Sequence, residues 1–449
     1  MLEMRQNKTK IKEWFTDAEH ICVSVLILGF LFRIIYVIQV RYDYSPHDLG
    51  KLIENGTSSI WGHLTYIQYI YLHKGLPDSA GGQYYQPPLF HIIGAVALAL
   101  SHIKENYEPG FENLQVVNML FASIGIFYGY RILKKIGKKD TFLIAGTAFL
   151  SFCPAFYIIG AELNNDCLMT MFQIMALYYT ICWSETQKLC DILKIALCIG
   201  FSMLTKTNGG LIAISVGIVF IYKFLKNYRE WKKYIIQFFC FGIVCIPMGL
   251  CWNVYRFLRY GLPLTYVLKQ AKESPQYIGD ISWKIRLGLP SPEQLFSNSI
   301  DWGKQKEFSN IWGQTFLTMN FDEGILEVTG NIGNILAVVL LWVSMILSIC
   351  FFVLLIRCVF SSEENPVLKM LFPVNFFVVL WNYVIFAFRY PHICTMNFRY
   401  IVIVQILLIS SALICHKNKL INRYIEIGIY GGITLQSILT VYVYLVFAV

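Results

Sequence analysis

Apolar runs of about 20 residues, each long enough for a helix to cross the ~30 Å hydrocarbon core, recur along this chain with short polar breaks between them. The first spans Ile21 to Val40 and follows a basic stretch holding Arg5, Lys8, Lys10 and Lys12. It is longer than a signal-peptide core and no small-x-small cleavage site follows it, so it reads as a retained anchor with a cytoplasmic N-terminus. Further crossings are expected near 113–132, 141–159, 166–184, 192–205, 208–222, 234–252, 336–356, 370–388, 400–415 and 425–446. The pattern predicts an all-α polytopic membrane protein of about eleven spans. It divides into a transmembrane module, 1–252, with a first outer loop at 41–112, an outer segment at 253–335, and C-terminal helices at 336–449.

Charge decides the one ambiguous stretch. Pro88 to Leu100 holds only about 13 apolar residues, which suits an interfacial or re-entrant helix better than a span. Counted as a span, it would put Lys134, Lys135, Lys138 and Lys139 outside; left at the surface, it puts them in the cytoplasm, where lysine clusters belong. The surface reading also places Lys223, Lys226, Arg229, Lys232 and Lys233, and later Lys417, Lys419 and Arg423, inside.

Composition removes several classes of function. With 56% hydrophobic and 14% charged residues, the chain cannot be a soluble enzyme. The net charge of +9 sits in short clusters between apolar runs, which is membrane orientation rather than a nucleic-acid surface. The 13 cysteines are scattered through apolar segments with no CxxC pair, and no zinc-like spacing emerges.

Polar chemistry gathers in the stretches expected outside. The first outer loop carries four basic residues against seven acidic ones, and Asp48 stands just past the membrane exit in the turn-rich sequence Tyr44-Ser45-Pro46-His47-Asp48-Leu49-Gly50. Trp61 to Tyr71 mixes aromatic and polar residues as an interfacial helix does. Gln83-Tyr84-Tyr85-Gln86-Pro87-Pro88-Leu89-Phe90-His91 then forms a rigid lip at the bilayer surface. In Gly160-Ala161-Glu162-Leu163-Asn164-Asn165-Asp166, the two acids fall on one face if a helix begins this early; alternatively Asn165 and Asp166 cap a helix start. Lys206, in Thr205-Lys206-Thr207-Asn208-Gly209-Gly210, interrupts two apolar stretches, where an unpaired charge costs ~2.5–3.5 kcal/mol. It either snorkels to the headgroups or meets a phosphate, with the Gly209-Gly210 turn as a source of extra N–H donors. Arg389 and Arg399 lie in a short outer stretch against the positive-inside bias, and arginine's planar fork suits phosphate. Arg33, inside the first span, is expected to pair with a buried acid.

The order of anchor, acidic outer loop, Tyr84-Tyr85-x-Pro87-Pro88-Leu89 and many further spans resembles the GT-C membrane glycosyltransferases that use polyprenyl-phosphate sugars, particularly the mannosyltransferase-like family 39 and the aminoarabinose transferases. The resemblance implies transfer of a sugar, hexose or pentose, from a polyprenyl-phosphate donor to a protein, lipid or glycan acceptor at the outer membrane face, with inversion. It implies catalytic roles for Asp48, with Glu162 and Asp166 facing it across a cavity, and substrate contacts for His47, Tyr84, Tyr85, Lys206, Arg389 and Arg399. A divalent metal is an expected cofactor, with His47, Asp48 and Asp166 as its candidate ligands. The family often shows two adjacent acids where this chain has His47 beside Asp48, still an acceptable ligand pair for a borderline metal. Trp312 and Asn320-Phe321-Asp322-Glu323 are candidates for acceptor contacts or for simple loop lining. Isoleucine and lysine abundance fits a bacterial cell membrane. The competing reading is a lipid-linked saccharide flippase or secondary transporter, although those place polar sites near the midplane in related halves.

Overall fold

A computed structural model describes residues 17–44, 48–53, 61–101, 108–137, 141–323, 328–361 and 365–447 of the chain. The crossings begin with α1 (Ala18–Gln39), whose N-cap Asp17 accepts the Glu19 backbone N–H at 2.8 Å. Two short helices follow on the surface, α2 (His63–His73) and α3 (Leu89–Leu100), so the Pro88–Leu100 stretch is a 12-residue helix, too short to cross. The chain then runs through α4 (Glu108–Ile136), α5 (Thr141–Ser151), α6 (Pro154–Ala161), α7 (Asp166–Thr186), α8 (Leu189–Thr205), α9 (Ile212–Lys226) and α10 (Trp231–Tyr260). After a long segment containing α11 (Trp283–Leu287), α12 (Pro292–Phe296) and α13 (Ile311–Phe321) come α14 (Gly330–Val359), α15 (Pro366–Arg389), α16 (Val404–Lys417) and α17 (Arg423–Tyr442).

Among the described residues nine helices are long and apolar enough to cross a membrane, counting α5 and α6 as one. A tenth forms if the 3₁₀ turns at Ile393–Ile401 join α16 across a 48° bend. The remaining expected crossing is α8, whose 17 residues sit at the short end of the spanning range. The protein is therefore an all-helical polytopic membrane protein. Within it α7 packs along α4 and α8, α8 along α10, α1 along α5, α9 along α15 and α14 along α16.

One broken span explains the intramembrane arginine. Helix α5 ends at Ser151 and α6 restarts at Pro154, a residue suited to a first helical turn, so the Ser151 carbonyl loses its in-helix donor. Arg33 supplies a replacement from α1: Nη1 donates to that carbonyl at 2.8 Å and Nε to the Ser123 hydroxyl at 3.3 Å. The partner is a carbonyl rather than the expected acid. Close approach is possible because Gly29 faces the break; a Cβ there would stand 2.8 Å from the Ser151 Cβ. Removing Arg33 strands a buried carbonyl, a cost of about 1–3 kcal/mol.

The two ends of the bundle differ. One end carries short connections rich in Lys134, Lys135, Lys188, Lys223, Lys226, Arg229, Lys417 and Lys419. There Lys134 meets Glu19 at 2.8 Å and Lys135 meets Glu185 at 2.5 Å, tying neighbouring helix ends together. The other end carries the first loop, residues 162–165, Lys206, the 261–329 segment and the 390–399 turn. The bias predicts that the lysine-rich end faces the cytoplasm. In a cysteine-reduced background, Lys188→Cys should label only from the cytoplasm and Lys272→Cys only from outside; the reverse pattern would overturn this orientation.

Candidate active site

The first outer loop is clamped before it offers its acid. Asp48 adopts a left-handed backbone (φ 53°) and Gly50 another (φ 77°), folding the loop onto the start of α2. His63 N–H donates to the Asp48 carbonyl at 2.8 Å and Leu64 N–H to the Leu49 carbonyl at 2.9 Å. A Cβ on Gly62 would lie 2.1 Å from Gly50 N and 2.3 Å from the Asp48 carbonyl oxygen, so the clasp closes only with glycine there. The Asp48 carboxylate is left partly exposed, with Oδ2 accepting from Arg399 Nη2 at 3.1 Å.

The Tyr-Tyr-x-Pro-Pro lip divides its work. Tyr84 stacks on Trp61, ring centroids 5.5 Å apart, and is a buried structural residue that does not line the cavity. Tyr85 does line it, and its carbonyl accepts from Trp252 Nε1 at 2.9 Å and Arg256 Nη1 at 2.8 Å, fixing the lip to the end of α10. Gln86 is extended, as a residue before proline must be. Its Oε1 accepts from Asn165 Nδ2 at 2.5 Å, and Asn165 also donates to the Thr205 carbonyl at 2.9 Å. One buried amide thus joins the lip, the second acidic motif and the turn holding Lys206.

That second motif differs from the single-face expectation. Glu162 closes α6 as its C-cap and Asp166 opens α7, so the two acids lie on different helices. Asn164, rather than Asn165, provides the cap: its Oδ1 accepts the Asp166 N–H at 3.0 Å, and its amide donates to Glu162 Oε2. Both acids are buried and neither lines the site's cavity; Asp166 is joined to it through its ion pairs. Lys206 Nζ reaches Asp166 Oδ1 at 2.6 Å, and Arg399 Nε approaches Asp166 Oδ2 at 3.8 Å. Both cations lie over the Tyr400 ring, Lys206 at 4.7 Å and Arg399 at 5.2 Å from its centre. The snorkelling alternative for Lys206 is therefore set aside. The Gly209 N–H is spent on the Lys206 carbonyl at 2.8 Å, so it is no phosphate donor.

Arg399 arrives by a different local rule. Asn397 caps the 3₁₀ turn Phe398–Ile401, its Oδ1 accepting the Arg399 N–H at 2.9 Å, and its amide donates to Asp322 at 2.8 Å and Glu323 at 3.3 Å. Only 4% exposed, Arg399 holds Asp48 and the Tyr400 hydroxyl through Nη2, while Nε and Nη1 lack a hydrogen-bond partner among the described residues. Buried guanidinium donors are costly to leave unpaired, so this arrangement suits an anion.

A cavity of about 1010 Å³ opens beside these groups. Asp48, Tyr85, Lys206, Arg399, Tyr400 and the exposed Arg389 line its polar end. Its other wall is apolar, with Met203, Leu211, Ile214, Phe241, Ile246 and Leu250 from α8, α9 and α10. Of these, Ile214, Ile246 and Leu250 are exposed. His47 lies outside the described residues. Among those described, no three His, Cys, Asp or Glu side chains gather as a metal site. Asp48 and Asp166 each already have a cationic partner, Arg399 at 3.1 Å and Lys206 at 2.6 Å. Arg256 carries no advance signal in sequence, Asn165 is legible only as a helix cap, and Tyr400 only as the neighbour of Arg399.

His63 and His91 do not reach the cavity. They bond to each other, Nδ1 to Nε2 at 2.9 Å, beneath the clasp, with Tyr66 stacked on His91. Burial holds both rings well below the ordinary imidazole range, aided by Lys206 and Arg399 at His63 and by His63 at His91. The unfolded chain takes up these protons near pH ~6.5 and the folded chain does not, so the pair's contribution is complete above that pH and lost below it. The melting midpoint in detergent should fall between about pH 7 and 5, and fall less in His91→Gln. Equal falls in both proteins would contradict this.

Residues 86–252 match the family described as dolichyl-phosphate-mannose-protein mannosyltransferase. Among solved structures, ArnT from Cupriavidus metallidurans in the apo state shares 11% identity at a TM-score of 0.37, covering 94% of this chain and 77% of that one. The same protein bound to undecaprenyl phosphate shares 12% identity at a TM-score of 0.37 with the same coverage. No curated protein matches the chain. The resemblance to the polyprenyl-phosphate GT-C glycosyltransferases stands on the family match as well as on the motifs. The matched stretch includes Gln86, Glu162, Asp166 and Lys206, while Asp48, Arg389 and Arg399 lie beyond it and rest on geometry.

Proposed function

We propose that the cavity binds a polyprenyl-phosphate sugar and transfers its glycosyl group to an acceptor at the loop-bearing membrane face. The observation that carries this reading is Arg399, buried at the cavity wall with Nη2 on the Asp48 carboxylate, Nε 3.8 Å from Asp166 and Nη1 without a hydrogen-bond partner among the described residues. A carrier phosphate placed there would meet those donors and Lys206, while its prenyl chain would follow the apolar gallery between α9 and α10 toward lipid. The donor named in the matched family, dolichyl-phosphate mannose, has this division into apolar chain, phosphate and sugar.

The chemistry follows from the same pair. An acceptor O–H or N–H attacks the anomeric carbon from the side opposite the phosphate, and Asp48 takes its proton. The bond from that carbon to the phosphate oxygen breaks, with its electron pair leaving on the phosphate. Negative charge developing there is met by Arg399 and Lys206, which are held in place before reaction. This is a single displacement with inversion. Asp166 holds the two cations together and Glu162 supports the motif from behind. The lysine-rich opposite end supports an orientation with the reaction on the outer face of a cell membrane, and the residue usage supports a bacterial one. The sugar is a hexose or pentose, and the acceptor is a protein, a lipid or an envelope glycan.

Asp48→Asn preserves size and its contact to Arg399 but removes the base, so turnover should fall roughly 10²- to 10⁴-fold. The assay is release of carrier phosphate from polyprenyl-phosphate sugar in membranes containing the acceptor. Native turnover by a well-folded Asp48→Asn protein would end the catalytic assignment.

A further inference from the structure

Beyond the phosphate seat, the cavity extends under the 261–329 segment to a second polar end lined by Gln276, Trp302, Glu323, His392 and Cys394. Two backbone bonds fasten this roof, Ile278 N–H to the Pro391 carbonyl and Ile393 N–H to the Gln276 carbonyl, each 2.9 Å. Glu323 is 4% exposed, and the Asn397 amide that touches it also caps the turn presenting Arg399. Cys394, Glu323, Asp48 and Arg399 all line this one cavity, so the acid end and the phosphate seat share it.

His392 gives an independent sign of a ligand. It is 4% exposed, and its Nε2 bonds to the Ala271 carbonyl at 3.0 Å, so Nε2 carries a hydrogen and Nδ1 is the acceptor of the matching tautomer. That Nδ1 has no partner among the described residues, nor does the Gln276 side-chain oxygen. This end therefore offers His392 Nδ1 and Gln276 Oε1 as acceptors in a lining that also holds the Glu323 carboxylate and Trp302. A ring bearing several hydroxyl donors on one edge and C–H groups on one face matches that set. A second phosphate does not match it, because Glu323 would repel the anion.

We infer that Glu323, His392, Gln276 and Trp302 form a saccharide subsite that receives the glycosyl ring of the donor. The inference rests on the phosphate seat described above, since the ring is attached to that phosphate and must lie next to it. Hydroxyl bonds to a carboxylate are the stronger class, so Glu323 should set how much tighter a glycosylated carrier binds than a bare one.

The test compares bare undecaprenyl phosphate with undecaprenyl phosphates carrying mannose, glucose, galactose, N-acetylglucosamine or arabinose, titrated into the full-length protein in detergent. At least one glycosylated carrier should bind the native protein about ten- to a hundredfold more tightly than the bare carrier. Glu323→Gln should remove most of that increment, and Trp302→Ala part of it, while both keep native affinity for bare carrier. Retention of the increment in Glu323→Gln, equal losses for bare and glycosylated carriers, or no increment in the native protein would each overturn the subsite. Failure of bare undecaprenyl phosphate to bind the native protein would instead overturn the phosphate seat, and the subsite with it.

Discussion

Four charges that the membrane would otherwise penalise neutralise one another at one point. Asp48, Arg399, Asp166 and Lys206 come from the first loop, the turn before α16, the start of α7 and the end of α8, and Asp48 and Arg399 are 351 residues apart. Arg399 and Asp166 are almost wholly buried. Removing one member of such a group leaves an uncompensated charge and costs about 3–5 kcal/mol, so the network constrains every element that contributes to it. The broken helix ends between α6 and α7 and between α8 and α9 exist where these side chains need to leave the bundle.

Neutral amides do the alignment around this centre. Asn165 binds the lip and the α8 terminus, Asn164 caps α7, and Asn397 joins the Arg399 turn to Asp322 and Glu323. The Gly50–Gly62 clasp and the Arg256 and Trp252 bonds to Tyr85 hold the membrane-surface layer over the bundle. Amides can bridge these elements without adding charge to a site whose four ionised groups already balance. Among the Arg399 nitrogens, Nη1 alone has neither a hydrogen bond nor an ion pair to the described residues.

Much of the fold was legible because the lipid core demands long apolar helices, and each crossing leaves its own local record in the sequence. The surface placement of Pro88–Leu100 followed from lysine positions, and it agrees with the 12-residue helix found there. Lys206 and Arg399 were visible as charges in the wrong place for orientation or burial. The local rules failed where a distant partner decides. Glu162 and Asp166 were expected on one helical face, but Asn164 starts a new helix between them. Arg33 was expected to meet an acid, yet it serves a carbonyl exposed by the Pro154 break. Tyr84 belongs to an aromatic stack and Tyr85 to the cavity, a division that adjacent identical residues cannot announce. Asn165 and Arg256 act through bonds to residues 40 to 171 positions away, which no local pattern encodes.

The proposed chemistry depends on the carrier phosphate contacting Lys206 and Arg399 from the cavity side. Its most direct test is the affinity of bare undecaprenyl phosphate for the native protein, Lys206→Gln and Arg399→Gln, measured by calorimetric titration in detergent. Loss of a charge-assisted bond predicts about tenfold weaker binding or more in each variant, with partial recovery in Arg399→Lys. Native affinity in both glutamine variants would show that the phosphate binds elsewhere.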